Sequence, residues 1–111
     1  MQGGAIEEAE RKVQMATYIA LMKFTDQGIR NVKDTVKRAE AFKEAAKKSG
    51  VTVKENYWVT GRYDVISIVE AADDMAATAL ALSLGAGGNL HTETLRAFGP
   101  AEMKQILEKM G

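Results

Sequence analysis

Cysteine is absent from the 111 residues, and proline, histidine and tryptophan each occur once. Without thiols the chain cannot form disulfides, thiolate metal sites or cysteine nucleophiles. Basic and acidic residues number 15 each, so the formal net charge is zero. Nucleic-acid binding usually requires an excess of positive charge on one face of a protein. We therefore expect no nucleic-acid partner.

Long apolar runs are also missing, although hydrophobic residues make up 46% of the chain. A membrane-spanning helix needs about 20 consecutive apolar residues. The early stretch AIEEAERKVQ is charged where a secretory signal would be apolar. We expect a cytoplasmic location, no membrane partner, and one domain with a single core, which is what this length typically supports.

Residues 1–14 are interpreted as a leader or appended helical segment ahead of the domain, which we assign to residues 15–111. Ile6, Ala9 and Val13 recur in the leader at helical spacing. An upstream start, a native N-terminal helix and a segment appended for expression or by design all fit this pattern. The leader carries no chemistry in any of these cases.

The hydrophobic pattern changes its period several times after residue 15. Strands are predicted where apolar residues are continuous or alternate, at residues 15–24, 51–60, 63–71 and 89–98. Helices are predicted at residues 25–50, from residues 73–74 to the glycines of residues 84–89, and after Gly99-Pro100. This order, βαββαβ plus a C-terminal helix, predicts an α+β fold of the ferredoxin-like split βαβ type.

The first two predicted helices each have one notable feature, an apolar stripe in the first and a glycine-rich end in the second. The apolar stripe predicted for the first helix comprises Ile29, Val32, Val36, Ala39, Phe42 and Ala46. The second helix ends in LGAGGN, residues 84–89, whose three glycines are reminiscent of a phosphate-binding loop. A phosphate loop follows a strand and opens a helix, so we interpret these glycines as a helix end.

The predicted sheet is apolar on both of its faces. A solvated sheet face should alternate apolar with polar residues, but the run MATYIALMKF does not, and VISIV places aliphatic groups on both sides. Burying one aliphatic side chain is worth roughly 1.5–3 kcal/mol, and the terminal helix is too short to cover a whole face. We therefore expect self-association into a homodimer or a higher homo-oligomer.

The joint between the second and third strands, Gly61-Arg62-Tyr63-Asp64, is the first candidate site. Gly61 supplies the positive φ that a tight turn requires. Asp64 is close enough to accept hydrogen bonds from the amides of the turn. A turn that sets strand register explains these residues without chemistry. The alternatives for Asp64 are a general base or ligand anchor, although no local group would tune its pKa, and a subunit contact.

A second candidate site lies on the sheet itself. His91 and Glu93 are two residues apart on one strand and therefore share a face. With Tyr57 or another group of the second strand they would form a small polar pocket for a ligand, and Trp58 points to the opposite face from Tyr57. A solvent-facing or interface pair is the simpler alternative. One histidine and one carboxylate fall short of the three or four protein ligands of a typical zinc site, so no metal site is predicted.

The sequence resembles the GYD domain family, which is named for a Gly-x-Tyr-Asp hairpin. Here that motif is Gly61, Tyr63 and Asp64, and the resemblance extends through YIALMKFTDQGIR and LALSLGAGGNLHTETLRAF. It runs from about Met15 to the end of the chain. The resemblance implies a dimeric α/β-barrel, in which two ferredoxin-like sheets pack face to face. It implies no particular reaction and no cofactor.

Three functional hypotheses follow. We favour a homo-oligomeric GYD-like α/β-barrel module without catalysis, which binds a small metabolite between its sheets through residues drawn from Tyr57, Trp58, Asp64, His91 and Glu93. A small cofactor-independent enzyme of the monooxygenase or isomerase kind is the alternative, and would need a cavity lined by these same side chains; no catalytic residue is identified. The third hypothesis is an engineered self-assembling scaffold built on a GYD-like protein.

Overall fold

The computed structural model describes residues 15–111, so the interpretation of residues 1–14 lies outside it. Four strands are formed by Ala16–Phe24 (β1), Thr52–Trp58 (β2), Val65–Ala71 (β3) and Leu90–Ala97 (β4). The helices are Asp26–Arg30 (α1), Thr35–Lys48 (α2), Asp74–Ala86 (α3) and Pro100–Glu108 (α4), with a 3-10 turn at Val32–Asp34 between α1 and α2. No helix in this part of the chain combines the length and apolar character needed to cross a membrane.

The strands form one sheet in the order β2-β3-β1-β4, in which every neighbouring pair is antiparallel. The β2–β3 pair is consecutive in the chain, whereas β1 to β2 and β3 to β4 are connected through helices. This is the arrangement of a ferredoxin-like sandwich. The predicted α+β fold and element order are confirmed.

The core lies between the sheet and the helices α2 and α3, on a side that we call the helix face. Alternate residues of the two central strands are buried there because successive strand side chains point to opposite faces. They are Ala16, Tyr18, Ala20 and Met22 of β1 and Val65, Ser67, Val69 and Ala71 of β3. From the helices, Ala46 and Ala77 complete the packing, and their small side chains allow close approach to the strands.

The long helix predicted for residues 25–50 is broken in the structure. Helix α1 ends at Asn31, whose backbone leaves the helical region at φ −103° and ψ 22°. Asparagine favours helix ends because its side chain competes for backbone hydrogen bonds. As a result the predicted apolar stripe was wrong in its first half. Ala39, Phe42 and Ala46 face the sheet, whereas Ile29, Val32 and Val36 are exposed.

Helix α1 is docked against the start of β4. Thr25 caps α1 by accepting a hydrogen bond from Gly28 N, and its hydroxyl donates to Gly88 O at 2.6 Å. The backbone N–H of Thr25 donates to Asn89 O at 3.0 Å. Gly28 lies so close to Asn89 that no side chain fits between them. The glycines near Gly88 end α3 and lead into β4, as predicted, so they serve as a helix end and a docking surface for α1.

Candidate functional site

The face of the sheet opposite the helices, which we call the open face, has an apolar centre and a polar rim. Cross-strand partners share a face, so the strand register identifies its members. Leu95, Ile19 and Ile68 form one row across β4, β1 and β3, and Leu21 and Ile66 form the next. All five side chains are partly or largely exposed, and Leu95 is 42% exposed. The prediction that both faces of the central strands are apolar is confirmed by this arrangement.

A small polar depression, the rim pocket, lies at one end of the open face. It has a volume of about 230 Å³ and is lined by Leu21, Lys23, Arg62, Tyr63, His91, Thr92 and Glu93. The Tyr63 hydroxyl donates a hydrogen bond to Glu93 Oε2 at 2.9 Å. This bond to a carboxylate raises the pKa of Tyr63 above its ordinary value, because ionised tyrosine could not donate it. The pocket thus combines two cations, a carboxylate and a neutral phenol.

The rim pocket brings together two of the predicted ligand-binding residues, His91 and Glu93, with Tyr63 of the hairpin motif. They share the open face as the strand spacing predicted, with His91 opposite Lys23 and Glu93 opposite Leu21 in the register. Within residues 15–111 no three potential metal ligands lie together. A role for this pair in binding a small molecule stays a prediction.

The hairpin motif has a structural account at each of its three positions. Gly61 has φ +113°, as expected for a turn glycine. The connection between β2 and β3 runs over residues 59–64 and is longer than predicted. Tyr63 and Asp64 belong to it because they are bonded to Glu93 and to β1, respectively. Asp64 Oδ2 accepts a hydrogen bond from Phe24 N at 2.9 Å, and the Asp64 amide donates to Met22 O. The expected acceptance from turn amides was therefore wrong: Asp64 ties the hairpin to the end of β1.

Replacement of Asp64 by alanine should lower the free energy of unfolding by about 2 kcal/mol, because it removes a charge-assisted hydrogen bond to a partly buried strand amide. Urea unfolding followed by circular dichroism measures this loss. Asp64→Asn keeps an acceptor at the same place and should recover at least half of the stability. Equal midpoints for Asp64→Ala and the wild type would contradict the assignment.

The remaining predicted residues, Tyr57 and Trp58, point to opposite sides of the sheet. Tyr57 lies on the open face opposite Ile66 and is 52% exposed. Trp58 lies on the helix face, where its Nε1 donates to Thr35 Oγ1 at 3.0 Å. It lines a cavity of about 270 Å³ between the sheet, α2 and α3, which we call the helix-side cavity. The structure does not bring Tyr57, Trp58, Asp64, His91 and Glu93 into one cavity.

A polar cluster that sequence reasoning missed lies near the other end of β1. The hydroxyl of Tyr18, a residue only 4% exposed, donates to Asp74 Oδ1 in the first turn of α3. The Arg96 guanidinium lies 4.3 Å from the centre of the Phe98 ring and 3.1 Å from Glu102 Oε2. Burial, together with the bond to Asp74, raises the pKa of Tyr18 to about 12. Its partners are distant in the chain, so no local pattern could have indicated them.

These features define an antiparallel ferredoxin-like module with a Gly-x-Tyr-Asp hairpin, an open apolar sheet face and two separate pockets. The chain belongs to the GYD domain family, because the sequence model of that family matches residues 18–107. It is 34% identical over 90 residues to a protein of Thermus thermophilus named "glutamine synthetase and cystathionine beta-lyase binding protein". The aligned part covers 80% of this chain and 95% of that protein. The comparison with solved structures found no match.

Proposed function

We propose that the chain is a non-catalytic binding module that pairs with a second copy of itself through the open face and, as a pair, binds a metabolic enzyme. The observation that carries the pairing is the apolar centre of the open face, with its polar rim. The name of the Thermus relative supports an enzyme as the external partner. Glutamine synthetase is the first enzyme to test.

The composition of the open face fits a protein interface. Stable interfaces have an apolar, water-excluding centre surrounded by polar groups. Here Ile19, Leu21, Ile66, Ile68 and Leu95 form the centre. The rim carries charges of both signs, including Lys23, Glu70 and Glu93, together with Lys54, whose Nζ lies 3.7 Å from Glu70. Because each rim carries charges of both signs, two identical copies related by a two-fold axis can place opposite charges next to each other and avoid a net repulsion.

Burial of the apolar centre supplies a free-energy gain comparable to the cost of pairing. Each of its five side chains is already partly buried, so full burial adds about 1 kcal/mol each. Two copies together gain on the order of 10 kcal/mol, against an association cost of about 4–15 kcal/mol. With a cost at the lower end of that range, the net gain of about 6 kcal/mol corresponds to a dissociation constant on the order of tens of micromolar. A small ligand held between the two sheets would lie in the rim pocket, next to Tyr63 and Glu93.

Replacement of Ile68 by lysine should dissociate the pair. Ile68 lies on the central strand β3, in the apolar row with Ile19 and Leu95. Two-fold symmetry would bury the introduced charge twice, at a cost of several kcal/mol. We expect the dissociation constant to rise more than about 100-fold, which corresponds to about 2.7 kcal/mol. Sedimentation equilibrium over a series of protein concentrations that spans both dissociation constants measures it.

Val36→Lys is the matched control, because Val36 is 53% exposed on α2 and lies away from the open face. This variant should sediment as the wild type does. Leu95→Lys, on the edge strand β4, tests the same face if the Ile68 variant does not fold. A wild-type monomer, or a folded Ile68→Lys variant that stays dimeric, would refute the pairing.

Enzyme binding is measured separately, with purified glutamine synthetase immobilised on a biosensor and the wild-type chain in solution. Saturable binding that is retained in Val36→Lys and weakened in Ile68→Lys is the expected result. Absence of binding to glutamine synthetase and to cystathionine beta-lyase would refute the enzyme-binding part of the proposal, whatever the oligomeric state.

A further inference from the structure

We infer a second binding site, independent of the open face, in the helix-side cavity: it takes a small molecule with an apolar body and a single carboxylate. The cavity lies on the opposite side of the sheet from the proposed pairing surface and within one copy of the chain. The walls of the cavity, its polar groups and its volume each limit the kind of ligand that can bind there.

The walls of the cavity are mainly apolar. Met22, Phe24 and Val65 contribute from the two central strands, Phe42 from α2, and Leu84 and Leu90 from α3 and β4. Small-molecule sites are typically apolar concavities with a few placed polar groups. The volume of about 270 Å³ lies just below the usual range of about 300–1,000 Å³. At about 30 Å³ per water-sized group, it holds a ligand of roughly nine non-hydrogen atoms.

The polar groups of the cavity lie together along α2 and β2. The hydrogen bond from Trp58 to Thr35 fixes how α2 lies on β2. Helix α2 and strand β2 run in opposite directions, and one turn of a helix is about as long as two residues of a strand. The residue one turn after Thr35 therefore lies beside the residue two positions before Trp58. This relation places Arg38 alongside Asn56, and both residues line the cavity. Ser67, the neighbour of Asn56 across the β2–β3 pair, lines it as well.

Asn56 and Arg38 have hydrogen-bonding capacity that the residues described by the structure do not use. Ser67, which is buried, donates its hydroxyl proton to Asn56 Oδ1, and the Asn56 amide nitrogen has no acceptor within residues 15–111. Arg38 donates from Nη1 to Asn31 O at 2.8 Å and forms no ion pair with any of the described residues. An amide donor and a guanidinium among the residues that line an apolar cavity are suited to a carboxylate.

The charge of the lining favours an anion over a neutral or cationic ligand. Among the lining residues that the structure describes, Arg38 is the only charged side chain, and none is a carboxylate. A cation would therefore meet an unfavourable field in a partly enclosed, low-dielectric site, whereas an anion would be stabilised there. The apolar walls would hold the hydrocarbon part of the ligand by removing it from water.

Titration with hexanoate, 1-hexanol and hexylamine separates charge from apolar burial, because the three probes share one hydrocarbon chain. The fluorescence of Trp58, the single tryptophan, reports binding at the cavity wall. Hexanoate should bind saturably and at least about tenfold more tightly than hexylamine, with 1-hexanol between them. No saturable response to hexanoate, or equal affinities for hexanoate and hexylamine, would overturn the inference.

Three variants locate the site. Arg38→Gln should weaken hexanoate about tenfold and leave 1-hexanol unchanged. Ala39→Leu should abolish the binding of both probes by filling the cavity that Ala39 lines, while Ala45→Leu, on the exposed side of the same helix, should bind both as the wild type does. If Ala39→Leu does not fold, Leu84→Phe fills the cavity from α3. Unchanged hexanoate affinity in Arg38→Gln, or in a folded cavity-filled variant, would refute the site.

The outcome is independent of the proposed pairing. The cavity is built from one copy of the chain, so Ile68→Lys should bind hexanoate with the wild-type affinity even when it is monomeric. A loss of hexanoate binding on dissociation would place the site between copies and overturn the assignment to the helix-side cavity.

Discussion

Replacement of Gly28 by alanine should lower the free energy of unfolding by about 3 kcal/mol, at the upper end of typical overpacking costs. An alanine Cβ at this position would lie 2.0 Å from Asn89 O and 3.2 Å from Asn89 Cα. Both atoms belong to the backbone, so the contact cannot be relieved by a side-chain rotation. Helix α1 would have to move away from β4, which breaks the 3.0 Å hydrogen bond from Thr25 N to Asn89 O.

The matched control for this prediction is Gly85→Ala. Gly85 is also helical, but outside its chain neighbours and the backbone of its own helix no atom lies within 4 Å of the position its Cβ would take. Alanine is favoured over glycine inside helices by up to about 1 kcal/mol, so this variant should be slightly more stable than the wild type. Urea unfolding curves give both values. Equal stability of the two alanine variants would show that α1 is not held against β4 as described.

Replacement of Tyr18 by alanine should be the most damaging single change to the core, with a loss of about 4 kcal/mol. The ring of Tyr18 is buried on the helix face, 4% exposed, in contact with the core that also includes Val51, Val53 and Val69. Tyr18→Phe keeps the ring and removes only the hydroxyl, and its partner Asp74 is exposed to water. The phenylalanine variant should therefore lose about 1 kcal/mol at neutral pH. Thermal or urea unfolding at pH 7 distinguishes the two.

Because of the buried hydroxyl of Tyr18, we expect the free energy of unfolding to depend on pH in the alkaline range. Burial raises the pKa of Tyr18 to about 12, whereas an unfolded tyrosine ionises near pH 10. The folded chain therefore favours the neutral phenol, and the resulting stabilisation is complete below about pH 10 and is lost as the pH rises towards 12. The stability difference between the wild type and Tyr18→Phe should shrink across this interval. A difference that stays constant from pH 8 to pH 11.5 would contradict the buried, protonated state of Tyr18.

The strands and their order could be predicted from the sequence because the hydrophobic period depends only on neighbouring residues. Alternation correctly placed His91 with Glu93 on one face and separated Tyr57 from Trp58. It could not indicate which of two apolar faces the helices would cover. Only the packing of α2 and α3 decides this, and it places Trp58 beside Thr35 and leaves Tyr57 on the open face.

The parts of the site that could not be predicted depend on contacts between distant segments. Asp64 bonds to Phe24, 40 residues earlier in the chain, and Tyr18 bonds to Asp74, 56 residues later. Likewise, the helical period continues through Asn31, so the sequence predicted one helix at residues 25–50. The break arises because α1 is held by Asn89, the residue before β4, while α2 lies along β2. Local periodicity carries no information about either contact.

The register shift between Val53 and Glu55 interrupts the regular spacing of backbone donors and acceptors along the β2 edge of the sheet. A strand from another molecule could not add there without matching this irregularity, and it would also have to accommodate the charged side chain of Lys54. Growth of the sheet sideways into a continuous fibre is therefore hindered at this edge. The proposed stacking of two sheets would instead use the one apolar face that the helices of each copy leave uncovered, so it would stop at a closed pair.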